Sequence, residues 1–212
     1  ALLTASSGDK LSKRDNVILI ESFREKHIDP LAILSLLATI GTSNSIELKD
    51  SLQQIIEEFR IKTISTSPGR IEIDLLNSLN KKLIQKFDYS EIEDRLKKID
   101  DRIDRNFWET TRGNLDIVED IKGWGDIVFN SNPIEPVDKE FIKIALDLMP
   151  DEPWNDETWS NWTSKIKDKT GKKGKDLFLP LREAFTGMSH GPEMKKLIQL
   201  LGRDKILERV KI

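Results

Sequence analysis

Apolar residues recur every three or four positions along most of this chain, which is the spacing of an amphipathic helix. The clearest stripes are Leu48, Leu52, Ile55, Ile56 and Phe59; Leu75, Leu76, Leu79, Leu83 and Phe87; and Ile92, Leu96, Ile99 and Ile103. Similar segments continue to the C-terminus, and only "GRIEI" and "DIVF" suggest extended chain. The pattern predicts an all-α fold of many short helices.

Several of these segments carry residues that are typical of helix ends. Pro30 suits a first helical turn, and Gly41 suits the position just after a helix. Asp74 and Ser90 are the expected N-caps of the helices that follow them.

The longest connection rich in proline and asparagine is "NSNPIEPVD", so we expect a domain boundary near Asn132. A second boundary is expected near Tyr89. The predicted parts are therefore residues 1–89, 90–132 and 133–212.

Composition narrows the classes of protein and site. The chain has 212 residues, of which 37% are hydrophobic and 33% charged, and this is typical of a soluble globular protein. It has no cysteine, which excludes disulfides and thiol catalysis, and His27 and His190 lie far apart, so no metal site is predicted. No apolar run approaches the roughly 20 residues that cross a bilayer, and we expect a cytoplasmic protein.

Charge is distributed unevenly along the chain. Residues 165–212 hold 13 Lys/Arg and 6 Asp/Glu, whereas residues 135–157 hold 8 acids and 2 lysines. Such polarity fits a protein with one face against phosphate, and it also fits an ordinary solvated surface.

Two stretches have chemistry of their own. "KLSKR", in a Gly/Ser-rich loop, brings together cations that can stabilise the negative charge developing on a triphosphate, although basic loops are common on surfaces.

Arg182 follows Leu181 at the edge of a predicted helix and should face the loop "TGMSHGPEM". An arginine beside a Gly/Pro loop suits unpaired bases, and it equally suits a packing corner with a surface arginine. The five tryptophans are expected to pack in cores.

These stretches occur with others in an order that resembles bacterial glutamyl-tRNA synthetase over essentially the whole chain. The matching segments are "GDKLSKR", "DPLAILSLLATIGTS", "LLNSLNKKLI", "FWETTRGNL", "GKKGKDLFLPLREAFTG" and "GPEMKKLIQLLGRDKILERV". "KLSKR" is similar to the second class I signature, whose general form is Lys-Met-Ser-Lys-Ser. The resemblance implies the C-terminal portion of such an enzyme, because the His-x-Gly-His-type signature of the preceding half does not occur here.

The resemblance also implies an activity and a set of site residues. The parent would be an ATP-dependent ligase that joins glutamate to tRNA, with Mg²⁺ arriving with ATP. Lys10, Ser12, Lys13 and Arg14 would bind ATP, and Lys13 would stabilise the leaving pyrophosphate. The expected anticodon contacts are Arg182, Gly191, Pro192, Met194, Lys195 and, in the preceding subdomain, Arg112.

The expected partner is glutamate tRNA, and glutamine tRNA stays open as a second one. The chain alone should bind tRNA as a monomer, without catalysis and without a cofactor of its own. The rival hypothesis is a non-catalytic helical protein-interaction module that meets a basic partner through the acidic residues 135–157.

Overall fold

The computed structural model describes residues 2–5, 8, 20–130 and 132–212. Eleven α-helices and one pair of two-residue strands occur in this described part of the chain, which confirms the prediction of an all-α fold. The predicted ATP-binding residues Lys10, Ser12, Lys13 and Arg14 lie outside the described residues.

The helices are short, and connections of two to fourteen residues separate them. In chain order they are α1 (Ile20–Glu25), α2 (Pro30–Thr39), α3 (Leu52–Glu58), α4 (Ile73–Lys86), α5 (Tyr89–Ile99), α6 (Arg105–Thr111), α7 (Ile121–Phe129), α8 (Lys139–Asp147), α9 (Thr158–Thr170), α10 (Lys175–Thr186) and α11 (Met194–Arg209). Strands β1 (Leu3–Thr4) and β2 (Gly69–Arg70) pair in parallel, and single 3₁₀ turns occupy Ile61–Thr63, Arg112–Asn114 and Val118–Asp120.

The chain divides into two compact units. The first extends to Glu93 and includes Leu115–Asp120, whereas the second comprises Asp94–Asn114 and Ile121–Ile212. The three-part division at residues 89 and 132 stays a prediction.

Helices α2 and α4 form the centre of the first unit. The core residues are Phe23, Ile28, Ala32, Leu36, Ile71, Leu76, Leu79 and Leu83, all buried. The α4 stripe predicted from the sequence therefore faces a core, as its helical spacing requires.

A buried side-chain amide joins three segments of this unit. Asn80 on α4 is 1% exposed, and its Oδ1 accepts a hydrogen bond of 2.9 Å from the backbone N–H of Asp29. Its Nδ2 donates to the carbonyl of Asp116 at 2.8 Å. Because both ends of the amide are paired, its burial carries no unsatisfied-group penalty.

The predicted stripe at residues 48–59 is wrong in part. Ser51 caps α3 by accepting a hydrogen bond from Gln54 N at 3.1 Å, so the helix begins at Leu52 and Leu48 precedes it. Ile55 is buried at 8% exposure, whereas Leu52, Ile56 and Phe59 are 54%, 60% and 42% exposed. The helix has only two turns and packs on α2, so one face alone becomes core.

Two predicted helix ends are confirmed and two are displaced. Pro30 opens α2, and Gly41, with φ of 81°, lies just beyond it. Asp74 lies within the first turn of α4, after the cap position at Glu72. Ser90 likewise lies inside α5, where its N–H donates to the Asp88 carboxylate at 2.9 Å, so Asp88 supplies the cap.

"DIVF", expected to be extended, lies inside α7. Ile121, Trp124 and Val128 of this helix are buried at helical spacing. Packing of that stripe outweighs the β propensity of its valine and isoleucine.

In the second unit Trp108, Trp124 and Trp162 are buried, as predicted, whereas Trp154 and Trp159 are only partly buried. Trp108 and Trp162 are 0% and 1% exposed. The indole N–H of Trp162 donates to the carbonyl of Ala145 at 2.9 Å, and its ring stacks on Phe185 at 5.3 Å between centroids. Both the apolar face and the polar edge of this indole are therefore satisfied.

Helix α11 is interrupted at Gly202. Gly202 has φ of 72° and ψ of 165°, which no helical residue adopts. The N–H of Arg203, freed by the break, donates to Glu152 Oε1 at 2.8 Å.

A buried arginine ties the last turn of α11 to two other helices. Arg209 is 1% exposed, and its Nη1 donates to the carbonyl of Phe185 in α10 at 3.1 Å. Its Nη2 donates to the carbonyls of Ile127 in α7 and of Asn130 just beyond it. Burial lowers the pKa of Arg209 from its ordinary value. The carbonyls at helix C-termini carry partial negative charge, so they suit a cation.

We expect Arg209→Met to lower the free energy of unfolding by about 3 kcal/mol, because three backbone carbonyls lose a charged donor. Lys211→Met, at an exposed position two residues later, is the control and should change it by less than about 0.5 kcal/mol. Urea unfolding followed by tryptophan fluorescence measures both. Equal effects of the two substitutions would contradict the tying role of Arg209.

Candidate nucleic-acid interface

The loop 187–193 connects α10 to α11 and contains two of the predicted anticodon contacts, Gly191 and Pro192. It leaves α10 at Gly187, whose φ of 73° is the left-handed conformation common after helices. The N–H of Met188 then donates to Thr186 Oγ1 at 3.0 Å. The start of the loop is therefore fixed by the helix that precedes it.

Arg182 fixes the other end of the loop. Its Nη2 donates to the carbonyl of Pro192 at 2.9 Å, which confirms that this side chain faces the loop. Its Nη1 is buried and has no hydrogen-bond partner among the described residues. Burial lowers the pKa of the Arg182 guanidinium from its ordinary value. An unpaired buried donor destabilises the protein, and an acceptor on a ligand would relieve that penalty.

Gly191 lies directly on the indole of Trp124. A Cβ added to Gly191 would stand 2.1 Å from Cη2 and 2.7 Å from Cζ2 of that ring, closer than any real contact. Its φ of 141° is also a conformation that side chains rarely adopt. Gly191 is one of the expected anticodon contacts, and in this structure its backbone lies against Trp124.

The remaining predicted residues of this region differ in exposure. Pro192 is buried, and Met194 is 6% exposed within the core. The side chain of Lys195 is 41% exposed, and its Nζ lies 3.6 Å from Glu193 Oε2. Lys195 is thus an accessible cation at the start of α11, whereas a base contact by Met194 stays a prediction and requires the loop to move.

Arg112 lies apart from this loop in the sequence, on the 3₁₀ turn after α6. Its Nη2 lies 2.6 Å from Glu109 Oε2, so a carboxylate already faces the guanidinium. A phosphate would have to compete with that carboxylate, and an anticodon contact by Arg112 stays a prediction.

Two residues that sequence reasoning did not select complete the support of the loop. Trp124 on α7 lies beneath Gly191, and Arg209 holds the C-terminal carbonyls of both α7 and α10. Arg182, on α10, closes the connection by its bond to Pro192. The loop therefore lies between two helices that one buried cation holds together. The only sequence signal was a tryptophan and a glycine 67 positions apart.

The described residues contain no group of three His, Asp or Glu side chains arranged to hold a metal ion. Within the same ranges, none of the helices has the length and hydropathy needed to cross a bilayer.

Comparisons with known proteins agree on one family of relatives. The family model described as anticodon binding domain matches residues 74–212, a range that includes all six predicted anticodon residues. Glutamate–tRNA ligase 1 of Bartonella quintana is 39% identical over the whole chain, and that of Brucella canis is 38% identical over 98% of it. The chain spans 47% of the length of each of these curated relatives.

Solved structures have the same fold. A glutamate tRNA ligase from Elizabethkingia meningosepticum, in complex with its amino acid, superposes with a TM-score of 0.78 at 17% identity. The alignment covers 97% of this chain and 48% of that one. The glutamate-tRNA synthetase of Elizabethkingia anophelis gives a TM-score of 0.76 at 18% identity over the same shares.

Gly191→Ala should lower the free energy of unfolding by about 2–3 kcal/mol, because the new Cβ collides with Trp124 and the backbone conformation is unfavourable for alanine. Gly123→Ala is the matched control. Gly123 precedes Trp124 on α7, is exposed, and has nothing within 4 Å of an added Cβ.

The control should stabilise the protein by up to about 1 kcal/mol through helix propensity. Thermal unfolding of the two variants and the parent gives the comparison. A Gly191→Ala variant as stable as the parent would mean that the loop does not rest on the indole.

Proposed function

Because the chain belongs to the anticodon binding domain family, and is similar along its whole length to glutamate–tRNA ligases, we propose that it is the tRNA-binding part of such a ligase. The observation that carries the proposal is Arg182, which lies within the matched range beside a loop held at both ends. Its buried Nη1 lacks a partner in the described residues, so it can donate to an RNA acceptor once the loop adjusts.

Two side chains at this loop can contact RNA, each in a different way. Arg182 can donate to a base edge or a phosphate through its planar fork. Lys195, exposed at the start of α11, can approach a phosphate as a point charge. Gly191, Pro192 and Met194 then act as the scaffold of the loop in the structure described here, and reach a base only after the loop moves.

The ligase that contains this chain would activate glutamate with ATP and Mg²⁺, releasing pyrophosphate, and would transfer the glutamyl group to tRNA. Lys10, Ser12, Lys13 and Arg14 are the proposed ATP contacts, with Lys13 following the charge onto pyrophosphate. We propose that the enzyme acts in the cytoplasm as a monomer on glutamate tRNA, with glutamine tRNA as a second substrate to be tested.

The similarity to ligases along the whole chain favours this function over the non-catalytic protein-interaction module. The acidic residues 135–157 are partly engaged within the second unit. Asp138, for example, caps α8 and pairs with Lys172 at 2.7 Å. Less of this segment is therefore free to meet a basic protein partner than its composition suggests.

Binding of the 212-residue chain to glutamate tRNA, measured by fluorescence anisotropy over a range of salt concentrations, tests the proposal. Affinity should fall steeply and linearly on a log–log plot, because each phosphate contact releases counterions. A chain that binds no tRNA, or binds it independently of salt, would favour the rival module.

Arg182→Ala and Arg182→Lys together separate base reading from a phosphate grip. If Arg182 reads a base, both variants should lose about 1–3 kcal/mol of binding free energy for cognate tRNA, because neither alanine nor lysine has the guanidinium fork. The loss for a tRNA with a changed anticodon should be smaller. If it grips a phosphate, lysine should retain most of the affinity and alanine should lower the salt slope by about one. Melting temperatures measured beside binding control for damage to the fold. Unchanged cognate binding by a folded Arg182→Ala variant would remove the main support for this loop.

Lys13→Ala, made in the complete ligase, should lower turnover more than it weakens ATP binding. A transition-state loss of about 2–4 kcal/mol is typical when a charge-stabilising donor is removed. Lys62→Ala, at an exposed lysine, is the control for loss of a positive charge. Equal turnover of Lys13→Ala and the parent would leave "KLSKR" as a surface loop.

The 212-residue chain alone should catalyse no ATP–pyrophosphate exchange with tRNA present. Exchange catalysed by this chain would show that its active site is complete.

A further inference from the structure

We propose that Trp124 is a positioning residue for the loop 187–193, and that its indole sets how sharply the protein distinguishes one anticodon from another. The inference rests on the proposed function, because it assigns the specificity of that same loop. Trp124 would act without touching RNA, through the backbone at Gly191.

Trp124 lies so close to the backbone of Gly191 that a residue with a Cβ at position 191 would collide with the indole. The ring atoms involved, Cη2, Cζ2 and Cζ3, all belong to the outer six-membered ring of the indole. Phenylalanine cannot place ring atoms that far from the backbone of α7. The distance between the loop and helix α7 is therefore determined by the size of the Trp124 side chain.

The indole is itself held firmly. Trp124 is 7% exposed, and Arg209 donates to the carbonyls of Ile127 and Asn130, at the C-terminal end of the same helix. Phe129 in the last turn stacks on Phe107 at 5.1 Å between ring centroids. The surface beneath Gly191 is thus a fixed part of the core, and close-packed cores transmit displacements with little compression.

Arg182 donates a hydrogen bond to the carbonyl of Pro192, the residue after Gly191. The loop is consequently fixed from two helices at consecutive residues, by the indole of α7 and by the guanidinium of α10. If Gly191 moved toward α7 or became more mobile, the carbonyl of Pro192 would shift, and the orientation of the Arg182 guanidinium would change with it. Bidentate recognition depends on that orientation, so the displacement should reduce base discrimination more than overall phosphate attraction.

Trp124→Phe removes the contacting ring atoms and adds no strain at Gly191. We expect the ratio of affinities for cognate tRNA and for a tRNA with one changed anticodon base to fall about fivefold. Trp108→Phe is the control, because Trp108 is 0% exposed in the same unit and lies on α6. The control should lower the melting temperature and leave the affinity ratio unchanged. A ratio that is the same in Trp124→Phe and in the parent would overturn the inference.

A double-mutant cycle tests the contact directly. Gly191→Ala should weaken cognate binding at least about threefold less in the Trp124→Phe background than in the parent, because the smaller ring leaves room for the Cβ. The strain from φ at position 191 is present in both backgrounds and cancels in the comparison. Additive effects of the two substitutions would show that the indole does not position the loop.

Amide hydrogen exchange without RNA separates this inference from the proposed function. Peptides that cover residues 187–193 should exchange faster in Trp124→Phe than in the parent, whereas Trp108→Phe should leave their exchange unchanged. If the parent binds no tRNA, the proposed function fails, together with the specificity that this inference assigns, and exchange still decides whether Trp124 positions the loop. If the parent binds and discriminates while exchange and ratio are unaffected by Trp124→Phe, the inference alone fails.

Discussion

The buried guanidinium of Arg209 is the interaction on which the arrangement of the second unit depends. A cation at 1% exposure loses its hydration, and its acceptors in the described part of the chain are three backbone carbonyls. Those carbonyls lie in the last turns of α7 and α10 or just beyond them, where helices leave their C=O groups unpaired and the dipoles concentrate negative charge. One side chain therefore satisfies the ends of two helices while belonging to a third.

The loop 187–193 takes its position from this arrangement. It starts from the end of α10 and rests on an indole of α7, the two helices that Arg209 joins. Arg182 then connects the loop back to α10 through Pro192. A loop that presents donors to single-stranded RNA benefits from such a scaffold, because ordering it during binding would reduce affinity. The position of this loop in the absence of RNA is consequently a property of the folded domain.

Local pattern was enough to predict the helices and several of their ends, but it could not predict contacts between distant residues. Pro30 and Gly41 act within one turn of their helix, so their neighbours in sequence decide their roles. The exposure of Ile56 depends instead on how little of a two-turn helix α2 can cover. The contact between Trp124 and Gly191 also needs tertiary structure, because nothing near either residue in the sequence reveals the other.

The same distinction applies to the candidate site. Arg182 was predictable because its helix edge and its loop are adjacent in sequence, and the predicted orientation is confirmed by its bond to Pro192. Met194 was an expected anticodon contact, yet helical spacing equally suits the buried position that it occupies at 6% exposure. Periodicity identifies an apolar face without saying whether protein or ligand covers it.

The most direct measurement is amide hydrogen exchange of the parent chain with and without an RNA hairpin that carries the glutamate anticodon. Protection should be concentrated in residues 187–195 and weaken when one anticodon base is changed, because the bases would contact this loop and the first turn of α11. Tight binding of the hairpin with no change of exchange in residues 187–195 would contradict the assignment of this loop to RNA recognition.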